Sequence, residues 1–362
     1  MAVLFVFLII YACDYDPSET DPGRLDQITY SPISVATPTV PAYPAMDIPE
    51  DNPLTEAGVQ LGRKLFFDPI LSKDSTQACA SCHLPDKSFT DGLATSKGID
   101  GLNGRRSAMN LLDAGFQSHG LFWDGRVHTL EEQALLPPED PLEMHFNWPG
   151  IVERLKQHRD YPTEFRKAFG IHHRDSITKY LTVKAIAQFE RMLVSSGKAK
   201  YDLALTSGSG VFFTDSELRG FTMYFDKSGG RMPDAECFHC HNAPLMASND
   251  FFNNGIQQVS GLNDFPDPGR GGVTGSLLEN GQFRAPTLRN IVLTAPYMHD
   301  GRFETLEDVL DHYNSGGHPA DNKNPFIRQL KLSPGQKEDI IAFLYTLTDS
   351  SFIQNPALKS PF

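Results

Sequence analysis

Two tandem, mainly α domains are predicted for this chain of 362 residues, on three observations. A pair of sequence landmarks occurs twice in the same order, apolar residues recur at helical spacing, and strand signals are scarce. Gly62-x4-Phe67-Asp68-x10-Cys79 matches Gly220-x4-Phe225-Asp226-x10-Cys237 at every interval. Asp124-Gly-Arg-x-x-Thr129-Leu130-Glu131-Glu132 returns as Asp300-Gly-Arg-x-x-Thr305-Leu306-Glu307-Asp308. The 158 residues from Cys79 to Cys237 exclude a short-period solenoid and indicate two related domains.

The elements follow in order. Residues 1–13 read as an export segment: the apolar run from Ala2 to Ala12 is shorter than the ~20 residues of a membrane-spanning helix and fits the core of a signal. Ile10-Tyr11-Ala12-Cys13 resembles a lipoprotein cleavage site with Cys13 as the acylated residue; a cleaved signal with an incidental Cys is the other reading. Residues 14–53, with eight prolines from Pro17 to Pro53, read as an extended tether or a strap against the surface. A first domain over 54–210 opens on a helix from Thr55 to Phe67. It continues with one from Thr182 to Val194, whose Val183, Ile186, Phe189 and Leu193 share a face. Ser207-Gly-Ser-Gly210 ends it. In the second domain, 211–362, the Gly-rich loop 261–282 is expected to cross between domains. Ser333-Pro334 starts a closing helix with the stripe Ile340, Ile341, Phe343, Leu344 and Leu347.

Composition narrows the function. With 40% hydrophobic and 21% charged residues the chain can bury two cores, and its net charge of −13 without a basic run repels phosphate backbones, so nucleic acid is excluded as a partner. The same charge suits a basic electron donor. Four of the five cysteines lie in Cys79-Ala-Ser-Cys82-His83 and Cys237-Phe-His-Cys240-His241. Cys-x-x-Cys-His attaches c-type haem: two thiols add to the two vinyl groups of one porphyrin and the adjoining His is delivered to the iron. Zinc sites and redox dithiols also use Cys-x-x-Cys but have no need of the His. Each domain is therefore expected to hold one covalent c-type haem. Such attachment takes place outside the bacterial cytoplasm, which again favours an exported, periplasmic protein.

With these motifs, residues 47–350 resemble the bacterial di-haem cytochrome c peroxidases and MauG proteins. The resemblance rests also on Asp51-Asn-Pro-Leu-Thr55, Leu61-Gly-Arg-Lys-Leu-Phe-Phe-Asp-Pro69, Phe122-Trp-Asp-Gly-Arg126, Ala285-Pro-Thr-Leu-Arg-Asn290 and Ala295-Pro-Tyr-Met-His-Asp-Gly301. It implies two mainly α cytochrome-c-like domains around a calcium ion, a peroxide-binding haem on His83, an electron-storing haem on His241, and Trp123 bridging them. Gln133 and Glu143 fall at the polar positions of the distal pocket, where a base moves a proton between the peroxide oxygens. No His lies between His83 and His119, where many relatives carry a second ligand, so an open site active in the ferric state is expected. The distal ligand of the second haem falls at Tyr313, where peroxidases carry Met and MauG carries Tyr; Met298 and His312 are its rivals, and a core role on the face Leu306, Val309, Leu310, Tyr313 is the alternative. Calcium is expected at the carbonyls of Thr294 and Pro296 with Ser107 in place of the usual Asn.

Three functions are compatible. One is a peroxidase reducing hydrogen peroxide with electrons from a small cytochrome c or copper protein. The second is a MauG-like oxidase of a protein or small-molecule substrate, with Ala235 standing where MauG presents its relay Trp. The third is a non-catalytic di-haem electron carrier. A homodimer is what the resemblance implies for assembly.

Overall fold

The computed structural model describes residues 21–362; the export segment and Cys13 lie outside the described residues. The fold is mainly helical. Eleven α-helices are present among the described residues: α1 (Glu56–Phe67), α2 (Leu130–Ala134), α3 (Trp148–Gln157), α4 (Tyr161–Phe169), α5 (Lys179–Glu190), α6 (Lys200–Leu205), α7 (Asp215–Tyr224), α8 (Gly271–Thr274), α9 (Leu306–Ser315), α10 (Pro334–Tyr345) and α11 (Ser350–Gln354). The single sheet is an antiparallel pair, β1 (Phe251–Phe252) with β2 (Phe283–Arg284).

The sequence repeat is a repeat of helix chemistry. Thr129 and Thr305 are the N-caps of α2 and α9, each closing a capping box with the acid three residues on, Glu132 or Asp308. The Asp-Gly-Arg turn before each helix needs a glycine in the left-handed region, with φ of 70° at Gly125 and 62° at Gly301. Backbone bonds from Leu121 to Val127 and from Tyr297 to Phe303 close the two turns alike.

Each half is built on one close helix crossing. α1 packs across α5 and α7 across α10. At these crossings a Cβ on Gly62 would lie 1.8 Å from the Ala185 carbonyl oxygen, and one on Gly220 would lie 2.0 Å from that of Asp339. Only glycine lets the backbones approach so far. Around the first crossing lie Leu61, Leu65, Phe66, Phe165, Val183, Ile186 and Phe189. The second surrounds Phe343, whose ring lies 5.0 Å from Tyr224, 5.7 Å from Phe221 and 5.9 Å from Tyr201.

The chain does not divide cleanly between these cores. Tyr201 of α6 belongs to the second core, whereas Phe352 of α11 and Leu358 return to the first. Residues 21–53 form a strap: Leu25 is buried in the first core, its N–H bonded to the His172 carbonyl at 2.9 Å. The Gly-rich loop 261–282 reaches the first half through Asp267, paired to Arg106 at 2.7 Å, and through Arg270, which donates to the Gly125 carbonyl at 2.9 Å. α5 starts earlier than the apolar stripe does, because Thr178 caps it and accepts from the Leu181 N–H.

Gly62→Ala is expected to destabilise the protein by about 1–3 kcal/mol through overpacking at backbone. Gly335→Ala, in open space in the first turn of α10, should be neutral or slightly stabilising. Thermal denaturation followed by circular dichroism checks the pair; equal melting temperatures would remove the crossing from its central role.

Candidate functional site

Each attachment motif folds as one tight turn that fastens the histidine backbone to the first cysteine. The turns span Cys79–Ser81 and Cys237–His239. The His83 N–H donates to the Cys79 carbonyl at 3.1 Å and the His241 N–H to the Cys237 carbonyl at 2.9 Å. In both rings Nδ1 meets a carbonyl oxygen, that of Phe89 at 2.7 Å for His83 and that of Pro286 at 2.9 Å for His241. A carbonyl can only accept, so Nδ1 carries the proton and Nε2 is left as the basic nitrogen, the tautomer an iron ligand needs. Burial also keeps both imidazoles neutral, lowering the pKa of His83 and bringing that of His241 to about 4.

The four thiols are partly buried and in no disulfide. Burial raises Cys79 well above the usual thiol range, Cys82 and Cys240 to about 11, and Cys237 to about 12. Thiols held neutral by burial, each pair with a pre-oriented imidazole, fit thioether attachment of a haem at both motifs.

At the first motif, Glu143 is half-buried and its pKa is raised to about 7, by burial first and by the Asp140 charge second, against the opposing Arg126. Its charge also reaches Cys79 and Cys82, where it adds to the upward shift of both thiols. Gln133 sits on α2, half-buried. Sequence reasoning missed Glu190, which is 5% exposed, has Oε2 without a hydrogen-bond partner and is raised to about 8 by burial. Its charge is the leading electrostatic influence on Cys79. The signal was available, since a glutamate four residues after Ile186 interrupts the apolar face of α5.

At the second motif, a cavity of about 210 Å³ is bordered by Cys237, Cys240, His241, Met298, Tyr313 and Leu344. Tyr313 packs beside the second core, its pKa raised to about 12 by burial. The Asn254 amide lies between the two rival ligands: its Nδ2 is 3.3 Å from the Tyr313 hydroxyl and 3.5 Å from the Met298 sulfur. His312 instead turns its Nε2 to the Asn254 carbonyl at 3.0 Å. Asn254 carried no sequence signal.

Trp123 joins the halves. Its ring borders the same cavity, its indole N–H donates to the Ser107 carbonyl at 3.0 Å, and its own carbonyl accepts from the Arg284 N–H at 2.9 Å. Ser107, Thr294 and Pro296 border the cavity too, and the Ser107 hydroxyl donates to the Met298 carbonyl at 2.9 Å. An uncharged hydroxyl engaged in that way adds no anionic ligand to a cation site.

A family model described as di-haem cytochrome c peroxidase matches residues 56–209. The cytochrome-c peroxidase IdrP1 of Pseudomonas sp. (strain SCT) is 31% identical over 87% of this chain and 87% of its own length. The methylamine utilization protein MauG of Methylophilus methylotrophus is 34% identical over 86% of this chain and 88% of its own. Among solved structures, a MauG-like protein associated with microbial copper homeostasis superposes with a TM-score of 0.81 at 34% identity, over 91% of this chain and 99% of that one. Relatives this similar over most of both lengths make the chain a member of the di-haem cytochrome c peroxidase family, which includes MauG and implies two c-type haems.

Proposed function

We propose that the protein is a di-haem c-type peroxidase that reduces hydrogen peroxide to water with electrons from a small exported cytochrome c or copper protein. Residues 54–210 form the peroxidatic part on His83 and residues 211–362 the electron-transfer part on His241, each with one covalent haem. Glu143 carries the reading: a half-buried carboxyl with a pKa of about 7 beside the first attachment motif. When bound there, haem would supply a redox-active iron to react with peroxide; Cys79, Cys82 and His83 would hold it, and no His lies between His83 and His119 to compete as a ligand.

The protein's own groups do the proton work. Glu143 takes a proton from one peroxide oxygen and returns it to the other, and a carboxyl near pKa 7 is populated in both forms at neutral pH. Gln133 orients the peroxide or a water. Trp123 carries electrons between the halves, so that two electrons and two protons turn one hydrogen peroxide into two waters. A calcium ion at the carbonyls of Thr294 and Pro296, with Ser107, would hold the interface. Export through residues 1–13, with or without acylation of Cys13, brings the protein to the compartment where such haems are attached.

A second reading, a MauG-like oxidase, is favoured by Tyr313. Its buried hydroxyl faces the cavity of the second motif, and a phenolate ligand would stabilise ferric iron and favour storage of oxidising equivalents. Ala235 at the relay position argues for a substrate other than MauG's. An electron carrier without catalysis would leave Glu143 and Gln133 without a task.

Four outcomes are expected. Stopped-flow mixing of the fully ferric protein with peroxide should show a rate that is flat above pH about 7 and falls tenfold per pH unit below it, because the base must be ionised to accept a proton. Glu143→Gln should lower that rate by about 10²–10⁴ and remove the pH dependence; an unchanged rate would sink the assignment. Tyr313→Phe should change the spin state of the second haem in electron paramagnetic resonance, and an unaltered spectrum counts against ligation. Steady-state oxidation of a reduced cytochrome c at low salt separates the two functions: turnover without prior reduction supports the peroxidase, while haem spectral changes without turnover support the oxidase.

A further inference from the structure

Arg284 is a buried cation without a counter-ion. It is 4% exposed, lies on β2 and borders the cavity of the second attachment motif together with Cys237, Cys240 and His241. Its Nη1 donates to the Gln117 side chain and its Nε reaches the Phe122 carbonyl at 3.4 Å, while Nη2 has no hydrogen-bond partner. No carboxylate pairs with it among the described residues. Asp124, the acid whose charge acts on it, is held by Arg106 at 2.6 Å and Arg126 at 3.2 Å. A second guanidinium, Arg270, shares the Phe251 ring with it, at 4.7 Å against 5.3 Å for Arg284. Burial and the Arg270 charge lower the pKa of Arg284 to about 10.

A guanidinium in this position needs an anion, because leaving its charge buried and unpaired is costly. The anion must enter with whatever fills the cavity. Haem brings two propionate carboxylates, planar acceptors that match the guanidinium fork. We propose that Arg284 is the propionate clamp of the second haem, its Nη2 donating to a carboxylate of the group attached through Cys237 and Cys240. This rests on the two-haem reading above. The clamp also ties that haem to the bridge, since the Arg284 N–H holds the Trp123 carbonyl. The charge has a redox consequence: a guanidinium that neutralises a propionate favours ferrous over ferric iron, so its loss lowers the potential of that haem alone.

Spectroelectrochemical titration of the holoprotein tests this, with haem counted as the pyridine haemochrome. Wild type should hold two haems. Arg284→Gln should shift the second haem's potential downward and alter its propionate bending mode in resonance Raman spectra, and Arg284→Lys should recover part of both. If Arg284→Gln does not mature, wild type and Arg284→Lys carry the comparison, since Lys keeps the charge and loses the fork. Two haems with an unmoved potential and Raman mode overturn the clamp alone, as does a shift confined to the first haem. A single haem in the wild type overturns the two-haem reading and the clamp with it.

Discussion

Close approach of two helix backbones is the constraint on which the rest of each half depends. Gly62 and Gly220 occupy the same place in the repeat and meet a backbone carbonyl in the same way, so α1 on α5 and α7 on α10 are one packing solution used twice. The consequences run directly to the sites. α1 ends in Phe66 and Phe67, with the Phe66 ring 6.4 Å from that of His83. α7 ends in Tyr224, whose hydroxyl donates to the His241 carbonyl at 2.6 Å. Fixing the crossing therefore fixes the wall against which each imidazole is held. The ten residues from Asp68 or Asp226 to the first cysteine then need only span a set distance.

Charge separates the two halves more than shape does. Around the first motif stand two carboxyls, Glu143 and Glu190, both raised by burial into the range where they hold a proton near neutrality. Around the second stand a phenol, a thioether and an unpaired guanidinium, with Glu236 also at the cavity border, tied to Arg328 and to His239 at 2.8 Å. On the proposed reading, proton handling belongs with His83 and electron handling with His241. That division would be electrostatic: carboxyls that hold a proton near neutrality lie beside His83, while Arg284 places a buried cation at the border of the His241 cavity.

What was legible in the sequence is what local chemistry dictates. The attachment motifs, the repeated landmarks and the cap at Ser333 each state their structure within a few residues. The helical class follows from them. What escaped is non-local. Nothing in the spacing of Phe352 and Leu358 says that they leave the second half and enter the first core. Nothing around Asn254 marks an amide poised between two rival ligands 44 and 59 residues away. Arg284 reads as an ordinary strand residue until its missing partner is seen in three dimensions.

The two candidate ligands on which the peroxidase and oxidase readings differ meet at that amide. Asn254 can donate to the Tyr313 oxygen or to the Met298 sulfur, and the stronger acceptor is oxygen. Donation to a phenol oxygen stabilises its ionised form and opposes the burial that holds the Tyr313 pKa at about 12. Met298 meanwhile is held by its backbone, in the left-handed region with φ of 75° and with its carbonyl taken by Ser107, as its counterpart Phe122 is also left-handed with φ of 62°. Met298 borders the cavity from that turn, and Tyr313 borders it from α9. The same repeat that shaped both halves has therefore placed a thioether and a phenol on one amide, the two candidates that the proposed reading offers the second haem.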